Sequence, residues 1–243
     1  MNFYAVIIGT EILNGRRADK HFEFLQNELA KYGHELFASF IIKDDKKLIQ
    51  NCYRLIQADQ NAVMFSFGGI GSTPDDLTRE IAAEISTAKP LHAHEKFTQD
   101  IIERFAEEAY PHRIHMAELP EGAELLFNPI NNMSGFSLEN RLFFVPGFPQ
   151  MAHPMISSII RTAFSDAKEK FRCTLLAQTN ESTLISLMLQ IPHDIELSSL
   201  PIFNNNKASV ELSLSGTDKR SVEKQFQLFC HELQNKNIEY KLM

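Results

Sequence analysis

Short apolar runs separated by longer amphipathic stretches fill the first 165 residues of the chain. Such runs are typical of strands that are buried on both faces of a parallel sheet, and the stretches between them are long enough for crossover helices. The pattern predicts an α/β domain in which a mostly parallel sheet lies between two layers of helices. The predicted strands are residues 3–8, 36–42, 62–67 and 142–145.

Helices are expected between these strands because apolar residues recur there every three to four positions. Asp19 is a suitable cap for the first helix. Later helices are expected from Pro74, over 95–110 and over 151–164, with a loop-rich stretch at 111–140. The inner faces of the first two helices are predicted to hold Phe22, Leu25, Leu29 and Tyr32, and Leu48, Cys52, Leu55 and Ile56.

The pattern changes after residues 165–170, a polar and charged stretch that suits a linker. Beyond it, the predicted order is strand, helix, strand, strand, helix, strand, with a hairpin turn at 204–207. This βαββαβ order is typical of a small ferredoxin-like α+β domain. The segment carries no cluster of acids, histidines or cysteines, so we interpret it as a structural or dimerising domain. The predicted domains are therefore 1–165 and 171–243.

A glycine-rich turn follows the apolar run 62–67, and a helix is expected to begin at Pro74 with Thr73 as its N-cap. Glycines let the backbone approach a ligand closely, and free N–H groups at a helix start attract anions. Asp75 and Asp76 would repel a bare phosphate, so they indicate a divalent cation between the carboxylates and the phosphate. The alternative is that both aspartates only complement the helix dipole. The turn itself is Gly68-Gly69-Ile70-Gly71-Ser72-Thr73.

Three loops are expected to meet because ligands bind beyond the carboxyl ends of parallel strands. These loops are 9–15, 43–45 and 68–76, each of which follows a predicted strand. The turn 146–149 also follows a strand and is either a further ligand loop or a plain structural turn.

Other candidate residues have simpler alternatives. His92 and His94 share a face if the segment is a strand and would then suit a metal, but a solvated connection is the stronger interpretation. Arg79 is expected to pair with the aspartates one helical turn away, and a phosphate contact is the weaker alternative.

Composition narrows the function classes further. The net charge of −7 and the lack of a basic run argue against nucleic acid as the main partner. The three cysteines have no CxxC spacing, and the chain shows neither a signal-peptide pattern nor an apolar run of about 18 residues. We therefore expect a cytoplasmic protein with reduced thiols and no membrane association.

Three ordered motifs point to a known family. They are GTEILNG at 9–15, GGIGSTPDDLT at 68–78 and PGFP at 146–149. Together they resemble the molybdenum-cofactor-biosynthesis (MoCF) domain, most closely the version in the N-terminal part of competence/damage-inducible protein A (CinA). The resemblance covers 1–165, and the segment 171–243 resembles the domain that follows in CinA. The sequence stops before the nicotinamide-nucleotide deamidase domain that is usual in CinA, so we do not assign that activity.

The resemblance implies divalent-metal-dependent hydrolysis of a nucleotide pyrophosphate such as ADP-ribose or FAD, with Mg²⁺, Mn²⁺ or Co²⁺. Two other family functions stay open: binding of molybdopterin or a nucleotide without turnover, and adenylyl transfer in molybdenum-cofactor biosynthesis. A homodimer is also implied. Asp76, Asp44 and Glu11 match catalytic positions, and Asp76, Asp75 and Asp44 would bind metal. The ligand would be bound by Gly68, Gly69, Gly71, Ser72, Thr73, Thr78, Pro146, Gly147 and Pro149.

Two positions depart from the family pattern. Asp19-Lys20-His21 stands where the family often has Asp-Thr-Asn. Gln150 and Met151 follow Pro149 directly, where the family often has one residue and then Glu-Met. Both departures fall beside the predicted ligand loops, so they bear on substrate identity and on activity.

Overall fold

The structure is a computed structural model that describes residues 1–86, 89–166, 170–204 and 207–243. The packing of the chain divides it into two compact units, Met1–Ala167 and Lys168–Met243. Part of the predicted linker, 167–169, lies outside the described residues.

A six-stranded sheet forms the centre of the first unit, in the order β2-β1-β3-β8-β7-β6. β1, β2, β3 and β8 pair in parallel, whereas β7 and β6 continue the sheet in antiparallel pairing. A separate two-stranded sheet joins β4 to β5. The strands are β1 Asn2–Ile8, β2 Leu36–Ile42, β3 Ala62–Phe67, β4 His92–Ala93, β5 Glu118–Leu119, β6 Glu124–Leu126, β7 Gly135–Leu138 and β8 Leu142–Val145.

Helices cover both faces of this sheet. Alternate residues of β1 enter two separate cores: Tyr4 and Val6 pack with α3, α4 and α5, and Phe3 and Ala5 pack with α2 and α6. In the described ranges, no helix combines the length and the apolar composition needed to cross a membrane. The helices are α1 Thr10–Leu13, α2 His21–Ala30, α3 Lys46–Gln57, α4 Thr78–Ser86, α5 Glu95–Phe105 and α6 Pro149–Ala163.

The inner faces of α2 and α3 differ from those predicted. On α2, His21 is buried and Phe22 is exposed, because Asp19 accepts hydrogen bonds from both backbone N–H groups and sets the first turn. The Asp45 carboxylate caps α3 in the same way by accepting from the Leu48 N–H at 2.8 Å. The buried face of α3 is Ile49, Cys52, Tyr53 and Ile56, whereas Leu48 and Leu55 are exposed.

The stretch predicted to be loop-rich, 111–140, contains two strands of the main sheet, β6 and β7. β7 forms a tight hairpin with β8, in which Phe136 stacks on Phe144 with 4.5 Å between the ring centroids. Glu139 and Asn140 have φ of 55° and 52°, so the turn is of the kind in which both central residues are left-handed. Such turns usually contain glycine, and its absence here hid the hairpin from the sequence pattern.

The second unit has the predicted βαββαβ order. Its sheet is antiparallel throughout, in the order β10-β11-β9-β12, with α8 packed on one face. The elements are β9 Phe171–Ala177, α7 Ile185–Met188, β10 Glu196–Asn204, β11 Lys207–Gly216, α8 Lys219–Asn235 and β12 Tyr240–Leu242. The predicted turn between β10 and β11 includes residues 205–206, which lie outside the described residues. The two-part α/β and α+β fold class is confirmed.

Candidate functional site

The loops that follow the parallel strands meet at one edge of the sheet, as the sequence predicts. The Thr10 N–H and hydroxyl, just after β1, both donate to Asp44 Oδ2, just after β2, at 2.8 Å. The Gly68 N–H, just after β3, donates to the carbonyl of Val145 at the end of β8, at 3.0 Å. These bonds join the four loops in two pairs, and residues of all four loops line one cavity.

Two glycines of the turn after β3 require the absence of a side chain. Gly68 has φ +100°, and a Cβ there would lie 2.7 Å from the carbonyl oxygen of Ile8. Gly69 has φ +69°, and its Cβ would lie 2.3 Å from Thr78 Oγ1. Both φ values are in the left-handed region that favours glycine. The turn is therefore folded tightly against β1 and the start of α4.

Thr78 stabilises this turn through two hydrogen bonds to its carbonyl groups. Its N–H donates to the Gly69 carbonyl at 2.9 Å, and its hydroxyl donates to the Gly68 carbonyl at 3.0 Å. The side chain is fully buried against the turn, and the ligand contact expected of Thr78 stays a prediction. It holds the backbone that faces the ligand cavity.

We expect Thr78→Val to lower the free energy of unfolding by about 1–3 kcal/mol, because the Gly68 carbonyl loses a buried donor. Thr78→Ser keeps the hydroxyl and should lower the free energy of unfolding by less than Thr78→Val does. Urea denaturation of the two variants beside the wild type measures the difference. Equal losses in both variants would show that packing of the methyl group, not the hydrogen bond, matters here.

α4 begins at Thr78 rather than at Pro74. Residues 73–76 form a turn closed by the Asp76 N–H, which donates to the Thr73 carbonyl at 3.0 Å. Asp76 Oδ2 in turn accepts from the Thr73 N–H at 2.8 Å and from the Thr73 hydroxyl at 2.6 Å. The Thr73 N–H is therefore already used and is not available to a phosphate. Asp75 is exposed on the same turn.

Arg79 has a different role from the one predicted. It is buried, and its guanidinium donates to the carbonyls of Ile70 and Gly71. Burial lowers the pKa of Arg79, and Asp76 and Glu118 act in the opposite direction. The side chain therefore holds the glycine turn by its carbonyl groups instead of forming the predicted helix pair with Asp75 or Asp76.

The carbonyl groups of the glycine turn accept hydrogen bonds from Thr78 and Arg79, whereas its peptide N–H groups remain free. In the described part of the chain, those of Gly69, Ile70, Gly71 and Ser72 donate to no backbone or side-chain acceptor. Successive unpaired N–H groups make anion-binding concavities. This arrangement agrees with the predicted phosphate site, although α4 itself contributes less than expected.

Glu11 and Asp44 lie beside the turn on the same cavity wall. Glu11 Oε1 is 3.7 Å from Arg17 Nη1 in a half-exposed ion pair. Asp44 uses Oδ2 for its two bonds from Thr10. The structure thus brings together the three residues predicted to be catalytic, Asp76, Asp44 and Glu11, around one space.

The turn 146–149 packs directly on the glycine turn, because a Cβ on Gly147 would lie 3.3 Å from Gly68 Cα. His21 holds this turn: its Nε2 lies 3.2 Å from the Gly147 carbonyl oxygen, and its ring stacks on Phe67 at 4.4 Å. A carbonyl only accepts, so Nε2 carries the proton. Pro146 and Gly147 line the cavity with the glycine turn, whereas Pro149 begins α6 and lines a neighbouring cavity.

Burial lowers the pKa of His21, while the bond to Gly147 acts in the opposite direction. The folded protein therefore resists a protonation that the unfolded chain accepts near the ordinary pKa of about 6.5. We expect the free energy of unfolding to fall as pH drops below about 6.5, by at most about 1.4 kcal/mol per pH unit for this group. His21→Asn should reduce that slope in urea denaturation series. An unchanged slope would contradict the assignment to His21.

One cavity of about 510 Å³ collects these groups. Its polar half consists of the glycine turn, two arginines and four carboxylates. Its other half is apolar and comes from α5, from the segment between α5 and β7, and from α6. The polar side chains are Glu11, Arg17, Asp44, Asp75, Asp76 and Arg113, and the apolar ones include Phe97, Phe105, Met116, Met133 and Met151.

The carboxylates do not form a complete metal site by themselves. In the described residues, no three histidine, cysteine, aspartate or glutamate side chains are grouped as metal ligands. His94 caps α5 by accepting from the Phe97 N–H at 3.4 Å, and His92 is exposed on β4. Mg²⁺ at phosphate sites is commonly held by one or two carboxylates plus phosphate oxygens. Asp44 and Asp76 therefore fit a metal that arrives with a phosphate.

Residues 4–166 match the family model described as "Probable molybdopterin binding domain" (MoCF_biosynth), which is more than half of the chain. The chain belongs to this family. The glycine turn, the carboxylates and the turn 146–149 all lie within the matched MoCF domain.

CinA-like proteins are among the relatives of this MoCF protein. One from Acaryochloris marina is 34% identical over 157 residues, which cover 62% of this chain and 37% of that protein. One from Desulfotalea psychrophila is 27% identical over 248 residues, 96% of this chain and 59% of that protein. The chain thus spans 37% to 59% of the length of these curated relatives.

A solved structure supports the fold of the MoCF domain. CinA from Thermoplasma acidophilum, a protein of unknown function, has a TM-score of 0.59 at 25% identity. The similarity covers 66% of this chain and 96% of that chain.

Sequence reasoning missed the apolar half of the MoCF cavity. The sequence places Phe97 and Phe105 among the apolar positions of the predicted helix 95–110, and Met116 lies in a segment without a motif. Arg113 stands 4.5 Å from the centre of the Phe105 ring and is paired with Glu108.

Proposed function

We propose that the chain is a divalent-metal-dependent hydrolase of a nucleotide pyrophosphate of the ADP-ribose or FAD type. The observation that carries this proposal is the run of free N–H groups at 69–72, which faces the same cavity as four carboxylates. N–H groups suit the phosphate oxygens, and the carboxylates suit a metal and a water molecule. An anion carrier would not need so many carboxylates beside its phosphate.

In this proposal the glycine turn binds the pyrophosphate. Its N–H groups are fixed before the ligand arrives, because Thr78 and Arg79 hold the carbonyls of the same turn. Fixed donors stabilise charge that develops on the phosphoryl oxygens without reorganising in the transition state. Arg17 lines the same cavity and adds positive charge close to the pyrophosphate.

Asp76 and Asp44 would hold the metal, with Asp75 as a further carboxylate on the same turn. When bound, such an ion polarises the phosphoryl group and lowers the pKa of a bound water. Asp76 has one oxygen fixed by Thr73, and Asp44 has one oxygen fixed by Thr10. The orientation of both carboxylates is therefore set. Glu11 would position the attacking water by accepting a hydrogen bond from it.

The apolar half of the cavity would hold the base of the nucleotide. Phe97 and Phe105 supply aromatic surface, and the guanidinium of Arg113 lies over the Phe105 ring. A flat ring has favourable stacking partners there, because aromatic and guanidinium faces both attract π-systems. The cavity thus has separate places for a charged group and for a planar group.

The test is turnover of ADP-ribose and FAD by metal-stripped protein to which Mg²⁺, Mn²⁺ or Co²⁺ is added. The proposal predicts release of AMP that depends on the added ion and stops with a chelator. Absence of release with all three ions, for a protein that still binds either compound, would exclude hydrolysis of this substrate class.

A second candidate is a protein that binds molybdopterin or a nucleotide without turnover. It is favoured by the fact that Asp44 and Asp76 already accept two hydrogen bonds each, and by Gln150 in place of a glutamate. Thermal-shift titration with each ligand, with and without Mg²⁺, would then show stabilisation without product. Adenylyl transfer to molybdopterin would instead require a pterin acceptor in the same assay.

A further inference from the structure

A buried tyrosine hydroxyl lies beside the strand that leads into the glycine turn. Tyr53, on α3, is fully buried, and its Oη lies 2.6 Å from Oγ of the equally buried Ser66. Ser66 belongs to β3 and stands two residues before Gly68. The surroundings are apolar, and the Tyr53 ring packs edge-on against Phe144. A polar group is retained in such a place only with hydrogen-bond partners, so the contacts of this hydroxyl need an explanation.

The same hydroxyl also reaches the residue that holds the glycine turn. It forms a hydrogen bond with the side chain of Thr78, at the start of α4. Burial raises the pKa of Tyr53, whereas the bonds with Ser66 and Thr78 act in the opposite direction. The hydroxyl therefore keeps its proton and can donate it. Tyr53 thus connects the end of β3 with the start of α4, the two elements on either side of the glycine turn.

The directions of these hydrogen bonds follow from the protons available. Each hydroxyl has one proton to donate and can also accept. The Thr78 proton goes to the Gly68 carbonyl, at 3.0 Å, so Thr78 accepts from Tyr53. The Tyr53 proton is then used, so Ser66 donates to Tyr53. The donors therefore run in one direction, from β3 through α3 and α4 to the turn, and only this order places a proton in every contact.

The carbonyl at the end of this series fixes one of the free N–H groups. In a trans peptide, the C=O of one residue and the N–H of the next lie in one plane and point in opposite directions. Thr78 holds the Gly68 carbonyl, so it also sets the direction of the Gly69 N–H. The Gly71 N–H belongs to another peptide, whose carbonyl is held by Arg79. The two glycine donors of the turn are therefore set by different side chains.

Thr78 can transmit a change because it touches the turn directly. A Cβ on Gly69 would lie 2.3 Å from Thr78 Oγ1, so this oxygen lies against the backbone of the turn. Donation from Tyr53 fixes the rotation of the Thr78 hydroxyl and keeps its proton towards Gly68. Hydrogen bonds in series also polarise one another, so loss of the Tyr53 donor weakens the bond to the Gly68 carbonyl.

We propose that Tyr53 is a positioning residue for the glycine turn. Its hydroxyl acts through Thr78 and sets the orientation of the peptide that carries the Gly69 N–H. Tyr53 does not line the site cavity, so it acts without touching the ligand. The orientation of the peptide is a property of the free protein. The effect on binding rests on the proposed function, in which the Gly69 N–H binds a phosphate.

The test compares Tyr53→Phe with the wild type by glycine-selective ¹⁵N labelling, in the absence of ligand. An amide signal responds to hydrogen bonding at the carbonyl of its own peptide, so Tyr53→Phe should shift the Gly69 signal. The Gly71 signal should shift less, because Arg79 holds the carbonyl of that peptide. A general loosening of the core would move both signals alike, and that result would reduce Tyr53 to a structural residue.

Tyr4→Phe is the matched control. Tyr4 is buried in the same core, but its hydroxyl donates to Asp59 at 2.9 Å and not towards the turn. Both glycine signals should stay in place in this variant. In calorimetric titration of ADP-ribose in metal-free buffer, Tyr53→Phe should bind about three- to tenfold more weakly than the wild type, as partial loss of one hydrogen bond would give. Tyr4→Phe should bind as the wild type does.

Two further variants test the route and keep the inference falsifiable. Tyr53→Phe should add no further loss of affinity to Thr78→Val, because both remove the same effect. Full additivity would contradict a route through Thr78. If Tyr53→Phe does not fold, Ser66→Ala replaces it and should shift the Gly69 signal by a smaller amount. A Gly69 signal that stays in place would overturn the inference. Failure of the wild type to bind ADP-ribose counts against the proposed function, and the spectra without ligand then decide for Tyr53.

Discussion

Asp76→Asn is expected to lower the turnover of ADP-ribose by at least about 10²-fold while the protein still folds. Asparagine keeps an oxygen that can accept from the Thr73 N–H and hydroxyl, so the turn 73–76 is retained. It removes the negative charge that would hold the metal. Steady-state release of AMP, with circular dichroism and a thermal melt on the same preparation, measures both parts of this expectation.

Asp59→Asn is the matched control for this variant. Asp59 also accepts side-chain hydrogen bonds, from Asn2 at 2.7 Å and Tyr4 at 2.9 Å, but does not line the cavity. It should lose stability without losing turnover per folded molecule. Turnover of Asp76→Asn within a factor of about three of the wild type would remove Asp76 from the mechanism, since loss of a catalytic group costs far more.

Gly69→Ala is expected to abolish ligand binding and to destabilise the protein by about 2–5 kcal/mol. About 1–2 kcal/mol comes from the left-handed backbone at φ +69°, and the rest from overlap with the buried Thr78 side chain. Relief of this overlap must move either the turn or α4. Chemical denaturation measures the stability, and calorimetric titration of ADP-ribose measures the binding.

Gly122→Ala separates these two contributions. Gly122 has φ +76°, but nothing lies within 4 Å of the position its Cβ would take. The substitution Gly122→Ala should therefore lower the free energy of unfolding only by the backbone contribution, about 1–2 kcal/mol. It should leave the binding of ADP-ribose unchanged. If both variants lose the same amount of stability, the contact between Gly69 and Thr78 does not constrain the turn.

The strands and the meeting of their loops could be predicted because apolar runs and glycines act locally. β1 and β3 are buried along their length, so their sequence pattern is continuous and their ends are marked. The start of α4 could not be read in this way. Pro74 is a favourable first helical residue, but the Asp76 carboxylate closes a separate turn on Thr73 and delays the helix to Thr78.

Side-chain roles were harder to predict than elements. Arg79 follows the aspartates at helical spacing, yet it reaches back to two carbonyls of the glycine turn. His21 lies at a helix start, yet it is buried and holds the carbonyl of Gly147, more than a hundred residues away. Such contacts depend on how distant segments pack, which a single sequence does not encode in any short pattern. The homodimer, the metal and the ligand remain predictions.

The most direct test of the central claim uses selective ¹⁵N labelling of glycine. The chain has 10 glycines, so the amide spectrum is simple and each signal can be assigned by substitution. Addition of ADP-ribose should shift the signals of Gly69 and Gly71, whose N–H groups would bind the phosphate. The signals of Gly122 and Gly216 should stay in place. Saturating ADP-ribose that leaves the Gly69 and Gly71 signals unmoved would contradict the assignment of the glycine turn as the phosphate site.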